Sequence, residues 1–378
     1  MQFRDLKSQY QVLKSDIDQA IQNVLNESSF IMGRQVSALE QDLAIYTGVR
    51  YCIACANGTD ALSLALMAWG IKAGDAVFVP DFTFFATGEV VSLIGATPVF
   101  VDVDAVTFNM DPIKLEAAIK DVLAEGKYRP RAVIPVDLFG LPADYQEISK
   151  IAKKYDLYIL EDGAQGFGGS VDTRRACSFG HVSTTSFFPA KPLGCYGDGG
   201  AVFTDDDELA EKMRSIRIHG KGSDRYDNVR IGLNSRLDTL QAAILQVKLK
   251  AFADYELDKV NKVAQIYTTK LNGVVKAPFI PPGYYSSWAQ YTIQLKNREQ
   301  RDKLQAGLKS KGIPSMIYYP KPMHNQTAFA GLEVYGMGCE TTDRLSETVL
   351  SLPIHPYLRE EDQDFIISSV LEIVGTED

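Results

Sequence analysis

The sequence has no apolar run near the ~18 residues of a membrane span, and it has no basic excess. Lys and Arg number 39 against 48 Asp and Glu, a formal net charge of −9. No helical membrane anchor is therefore expected. A general nucleic-acid surface is not expected either, because that needs a basic face. An anionic small substrate remains open, since a local Arg and Lys cluster decides that. Cysteine is scarce and odd in number, five in all, which points to a reducing compartment rather than a disulfide framework. The cytosol is the expected location, and the opening Met1–Ser8 lacks the apolar core of a signal peptide. Cys52-Ile53-Ala54-Cys55 has no second cysteine pair or close histidine pair to complete a metal site. Its thiols are expected inside a strand or core, with no metal bound. Internal repeats and low-complexity segments are absent too.

What is present is an ordinary globular composition, 46% hydrophobic and 23% charged over 378 residues. A chain of that length buries roughly three quarters of its unfolded surface, enough for one large core and a smaller one. Helical spacing runs over residues 9–26 (Tyr10, Leu13, Ile17, Ile21, Val24) and 35–46. Residues 60–70 read as a helix opened by Gly58-Thr59-Asp60, with Thr59 or Asp60 as cap. Val77–Pro80, Thr97–Val101, Ala132–Val136 and Leu157–Leu160 are short apolar strands, the last after the helix-like Tyr145–Tyr155. Two more strand-like runs flank the glycines between Ser183 and Thr204, and a helical pattern covers Arg236 to Lys250. Strands alternating with helices imply an α/β fold with a mostly parallel sheet covered on both faces. Past residue 250 the texture changes to helix 251–271, the loop Pro278–Gly283, strand Tyr291–Leu295, helix 298–311, strand Ser315–Tyr319 and a helix near 360–374. We expect a large domain over 1–250 and a smaller α+β domain over 251–378, the N-terminal segment being free to pack on the latter.

Several stretches carry candidate chemistry. Lys191 lies among small and apolar residues, Ser186 to Ala190 before it and Gly194, Gly197, Gly199 and Gly200 after it. Such a lysine loses its proton more easily than a solvated one. Asp162 ends an apolar strand, where open α/β sheets bind ligands. An amine for a Schiff base and an acid for a ring nitrogen are what pyridoxal phosphate requires. Gln165 follows as a candidate donor to a ring oxygen. Asn57-Gly58-Thr59-Asp60-Ala61 is either a plain cap or an anion site at a helix start. Phe84, in Thr83–Thr87, is either core or a flat partner for a planar cofactor. Gly166-Phe167-Gly168-Gly169 lacks full dinucleotide-fingerprint spacing and precedes the turn Asp172–Arg175. Asn234–Asp238 either caps the following helix or serves the site.

Through Phe3–Leu6, Asn57–Leu62, Thr83–Thr87, Glu161–Gln165, Ser186–Gly200, Asn234–Ala243 and Tyr319–Pro322 the chain resembles the fold-type I, pyridoxal-phosphate-dependent sugar-nucleotide aminotransferases of the DegT/StrS type. The likeness spans essentially the whole chain in the family's motif order. It implies that Lys191 links pyridoxal 5'-phosphate and moves protons, with pyridoxamine phosphate as the aminated form. It implies that Asp162 pairs with the ring nitrogen, Gln165 contacts the hydroxyl side and Phe84 stacks. Gly58, Thr59 and Ser186 would hold the phosphate, completed by Asn234 of a neighbouring subunit in a homodimer with shared sites. Arg236, Tyr318 and Tyr319 would meet the substrate, a UDP- or dTDP-linked keto-sugar, with glutamate as amino donor. Where family members often have Ala-Ala-Gln-Ser, this chain has Gly163-Ala164-Gln165-Gly166. Phe187–Gly200 and Asn234–Gln241 look closest to the enzymes that aminate UDP-2-acetamido-3-oxo-glucuronate, although those tend to have His-Tyr-Pro where this chain has Tyr318-Tyr319-Pro320.

Surface polysaccharide or glycoconjugate synthesis is the expected setting. A 4-keto-6-deoxy sugar nucleotide is the alternative substrate. A sugar dehydratase of the same family would replace Lys191 with histidine. A non-catalytic sensor would have signalled itself by losing Lys191 or Asp162. A nicotinamide oxidoreductase is disfavoured by the incomplete glycine fingerprint.

Overall fold

Seven strands lie in the order β1-β9-β8-β5-β4-β2-β3 in a computed structural model that describes residues 1–224 and 226–375. In chain order the strands are β1 (Tyr51–Cys55), β2 (Asp75–Pro80), β3 (Thr97–Val101), β4 (Arg129–Val133), β5 (Tyr158–Asp162), β6 (Ser170–Val171), β7 (Arg174–Arg175), β8 (Val182–Ser186), β9 (Gly200–Thr204), β10 (Tyr284–Tyr285), β11 (Tyr291–Gln294) and β12 (Val349–Leu352). Neighbours from β8 through β5, β4 and β2 to β3 pair in parallel, and β9 runs antiparallel to both β8 and β1. The carboxyl ends of β1, β2, β4, β5 and β8 therefore emerge along one edge. The mostly parallel α/β sheet expected from alternating strands and helices is what forms.

Both faces are covered, as continuous apolar strands require. Helices Gly58–Ala68, Ala86–Leu93 and Asp207–Ile216 pack with Ile53, Val77, Val79, Leu160 and Val202 on one side. Helices Pro112–Glu125 and Tyr145–Lys154 cover Phe78, Val99, Val133 and Ile159 on the other. The largest cluster runs from Ala54 and Phe203 through Leu245, Phe252 and Tyr267 to Tyr291, Leu352 and Val370. Short acceptor side chains start helices, Asp111, Asp144 and Asp206 accepting from backbone amides in the first turn, and Gly48 and Gly126 end the helices Arg34–Thr47 and Pro112–Glu125 in the left-handed region. The two thiols of Cys52 and Cys55 are buried within β1, as the apolar stretch predicts.

Three expectations need correction. Ser315–Tyr319 forms no strand; β11 pairs instead with β12, and only Met316 bridges to Ser351. Pro314 and Pro320 bracket that segment, so a ladder could not continue past it at either end. The helix after β1 begins at Gly58, so the capping oxygen belongs to Asn57, which accepts from Asp60 N at 2.8 Å, and not to Thr59 or Asp60. Strand β4 ends at Val133 rather than Val136, because the chain then crosses the end of β5 with Asp162 N donating to Pro135 O.

Two buried carboxyls lie beneath the sheet edge. Glu161 accepts from the amides of Cys177, Phe179 and Gly180 and from Ser183 Oγ. Asp137 accepts from Ala143 N at 3.0 Å and Tyr145 OH at 2.8 Å. Burial raises both, and the negative charge of Glu161 raises Asp137 further. Glu161's donors favour its charged form, which leaves Asp137 the carboxyl pushed further up. Asp137 also explains the glycine at 166, because a Cβ there would lie 2.4 Å from the Asp137 Cβ and Oδ2. Gly166→Ala is expected to cost about 1–3 kcal/mol through overpacking, read as a lower urea midpoint with an unchanged slope. A midpoint equal to that of the parent chain would mean that Asp137 yields freely.

Candidate active site

The parallel strands bring together residues that the sequence separates. Asp162 ends β5 and is 5% exposed; its Oδ2 accepts from Thr87 Oγ1 at 2.9 Å and its Oδ1 from Ala164 N at 3.2 Å. Thr83 and Thr87, one turn apart after β2, share a 3.2 Å hydrogen bond. Burial raises the proton affinity of Asp162, and its hydrogen bonds and the nearby Lys191 pull the other way. Lys191 is held below the usual lysine range, first by burial; Asp162 opposes that shift and Arg4 adds to it. A carboxylate avid for a proton thus faces an amine disposed to lose one.

Gln165 is held at both ends of its amide. Oε1 accepts from Phe139 N at 2.8 Å, and Nε2 donates to Tyr319 OH at 2.9 Å. Tyr319 packs against Phe82 and Phe84, with ring centroids 6.0 and 6.5 Å away, and Tyr318 lies beside it. Phe84 remains 56% exposed, so one of its faces is open. Gly58 starts its helix at the end of β1 against Ser186 at the end of β8: a Cβ on Gly58 would lie 2.7 Å from the Ser186 Cβ. The absent side chain leaves the helix-start amides and the Ser186 hydroxyl next to each other, which suits a phosphate. Thr59 follows on the same helix turn. Asn234 and Arg236 are engaged with each other near the surface, Arg236 Nη2 donating to Asn234 Oδ1 at 2.7 Å. The donor set fits a planar group carrying a phosphate, a carbonyl and a basic ring nitrogen.

Some participants were not singled out from the sequence. Thr87 is one, although its spacing of four from Thr83 was a usable signal. Asp81, His324 and Cys339 are others, brought within 4.8 Å of one another from distant segments. Asp81, fully buried after β2, accepts from His324 N at 2.8 Å and bonds His324 Nδ1 at 2.7 Å. That pair fastens the segment after Tyr318 and Tyr319 to the strand end that leads to Thr83 and Phe84. Nothing in the spacing of 81 and 324 announces it.

The profile of the DegT/DnrJ/EryC1/StrS aminotransferase family matches residues 11–371. The UDP-2-acetamido-2-deoxy-3-oxo-D-glucuronate aminotransferase of Pseudomonas aeruginosa is 47% identical over 359 residues, 95% of this chain and 96% of that one. A pleiotropic regulatory protein of Geobacillus stearothermophilus is 42% identical over 372 residues, 97% of each chain. The crystal structure of a DegT DnrJ EryC1 StrS aminotransferase from Brucella abortus superposes with a TM-score of 0.97 at 52% identity, covering all of both chains.

The Asp81 pair generates a pH dependence with a definite sign. Its hydrogen bond holds His324 above the usual imidazole range. The stabilisation is complete below the unfolded value of about 6.5 and is lost as pH rises through the higher folded value. Melting temperatures measured from pH 6 to 9 are expected to fall more in the parent chain than in Asp81→Asn. Parallel curves would show that the pair adds no such dependence.

Proposed function

The chain belongs to the DegT/DnrJ/EryC1/StrS aminotransferase family, and from that premise we propose that it moves an amino group from glutamate to a UDP-linked 3-oxo sugar, of which UDP-2-acetamido-3-oxo-glucuronate is the leading candidate. The observation that carries the reading is Asp162 at the carboxyl end of β5, near enough to Lys191 for their charges to act on each other, on the sheet edge where the helix start at Gly58 meets Ser186. The cofactor of this reading is pyridoxal 5'-phosphate, which supplies an aldehyde for amines and an electron sink for the carbon that bears them.

The residues of the chain do the rest. Gly58, Thr59 and Ser186 bind the phosphate through helix-start amides and a hydroxyl. Asp162 holds a proton on the ring nitrogen, and Thr87 and Ala164 N fix the direction of its carboxylate. Phe84 covers a face of the ring. Gln165, anchored on Phe139 N, keeps Tyr319 in register with the cofactor side. Lys191, with its depressed proton affinity, serves first as the attacking amine. It then carries a proton between the carbon that loses the amine and the carbon that gains it. Glutamate leaves as 2-oxoglutarate, and the oxo carbon of the sugar becomes an amine-bearing one. Tyr318 and Tyr319 line the substrate side.

Asn234 and Arg236 fit a homodimer in which each reaches the partner's cofactor and substrate. Surface chemistry supports this: Phe30, Ile31 and Met32 are exposed and are laid beside 238–239 by the Ile31–Asp238 bridge and the Thr239 N to Phe30 O bond. Val229, Ile231 and Phe188 are exposed as well. A regulatory relative at 42% identity favours a sensor as second reading, yet this chain keeps both Lys191 and Asp162.

Two outcomes test the proposal. With glutamate and the uronate sugar nucleotide, 2-oxoglutarate should accumulate, and Arg236→Ala should weaken the uronate far more than its neutral hexose counterpart. A difference of about 2–4 kcal/mol is expected for a desolvated ion pair; equal losses would point to a neutral sugar. Lys191→Ala alone, and Asn234→Ala with Arg236→Ala alone, should each be nearly inactive. In a mixed dimer one site collects every lesion and the other is whole, so activity should return on co-refolding. Verified mixed dimers without activity would place the whole site within one chain.

A further inference from the structure

The motif Phe3-Arg4-Asp5-Leu6 takes no part in the function proposed above, yet it closes over the back of the lysine loop. Phe3 meets Tyr318 edge-on, ring centroids 6.2 Å apart. Asp5 caps the helix Leu6–Glu27 by accepting from Ser8 N at 2.9 Å, which fixes where Arg4 leaves it. Arg4 Nη2 donates to the carbonyl of Lys191 itself at 3.0 Å and to that of Pro192 at 3.4 Å. Lys248, 1% exposed, reaches the same loop from the helix Thr239–Ala251 and donates to Gly194 O. Glu256 stands against both cations, held by Gln9 Nε2 at 2.9 and 3.1 Å and by Tyr357 OH at 2.5 Å.

We propose that Arg4 is a positioning residue for Lys191: it clamps the lysine's own carbonyl and sets a positive charge behind the amine, so that Lys191 attacks as a free base in a fixed direction. The inference rests on the reading that Lys191 carries the cofactor. Glu256 acts on both cations and Asp5 borders the same cavity, so what Arg4 brings to Lys191 is a charge held at the lysine's own carbonyl. Arg4 Nη1 is shut off from solvent and has no hydrogen-bond partner among the described residues, so water does little to screen its charge. The arrangement runs against stability, because burial pushes Arg4 down to about 10 and Lys248 down to about 8. Lys191 faces Asp162 and Arg4; Arg4 in turn faces Glu256, Tyr318, Lys248 and His355. Loss of the Arg4 charge must raise the proton affinity of Lys191 and move its free-base form to higher pH.

The test uses the full chain freed of cofactor, exposed to pyridoxal phosphate between about pH 6 and 10 and then reduced with borohydride. The free amine attacks the aldehyde, water leaves as the C=N bond forms, and hydride reduces that bond to a stable secondary amine that peptide mapping locates. The parent chain should be labelled on Lys191 with a rise across one midpoint. Arg4→Met and Arg4→Gln should move that midpoint up by about one pH unit, and Arg4→Lys should restore it. Gln keeps N–H donors without the charge, so it carries the test even if Arg4→Met fails to fold. Unshifted midpoints in the Met or Gln variants would overturn the proposal. Labelling of the parent chain elsewhere than Lys191 would overturn the reading beneath it.

Discussion

The site depends on a carboxylate that folding puts where a carboxylate is least at ease. Asp162 is joined to its surroundings by backbone and side chain at once: its N–H donates to Pro135 O, its carbonyl accepts from Asp137 N, and its two carboxylate oxygens go to Thr87 and Ala164. Those four bonds tie β5 to the segment after β4, to the helix after β2 and to the start of its own loop. A buried carboxylate costs several kcal/mol unless hydrogen bonds or a charge compensate. Here the hydrogen bonds compensate in part, and the remaining proton affinity is what a basic ring nitrogen would use.

Around that centre the parallel sheet acts as an aligning device. Strands that run the same way present their carboxyl ends together, so Asn57-Gly58-Thr59, Asp81 to Phe84, Asp162 and Ser186 share one edge despite their distance in the chain. The loops are then fixed by polar bonds rather than by further strands. Gln165 links the loop after β5 to Tyr319, His324 fastens the segment after it to Asp81, and Arg4 and Lys248 hold the lysine loop from behind. Loops cannot bury their backbone without partners, and in this edge the partners are long or ionisable side chains from remote segments. A low dielectric makes each such bond stronger and each missing one costlier.

Local features were legible in the sequence because their causes are local. Helical spacing marked the helices near 9–26, 298–311 and 360–374, and short apolar runs marked the strand 97–101 and the sheet as parallel. Lys191 and Asp162 could be singled out as candidates from their neighbours, since glycine and strand end are chain-local signals, whereas the cap of the helix at Gly58 fell on Asn57 and not on Thr59 or Asp60. The strand expected at 315–319 misled for the same reason: its residues favour a strand, but whether a ladder partner reaches them is a matter of distant packing, and β12 took that place beside β11.

Residue identity and local spacing by themselves determined the α/β class, the family likeness and which lysine and which aspartate were candidates. Only the tertiary structure decided that Thr87 orients Asp162, that Asp137 leaves no room at Gly166, that His324 meets Asp81 across the chain, and that Arg4 closes on Lys191. Each of those is a contact between residues far apart in sequence or a limit on volume. The energy of such a contact depends on burial and direction, which no single stretch of chain specifies.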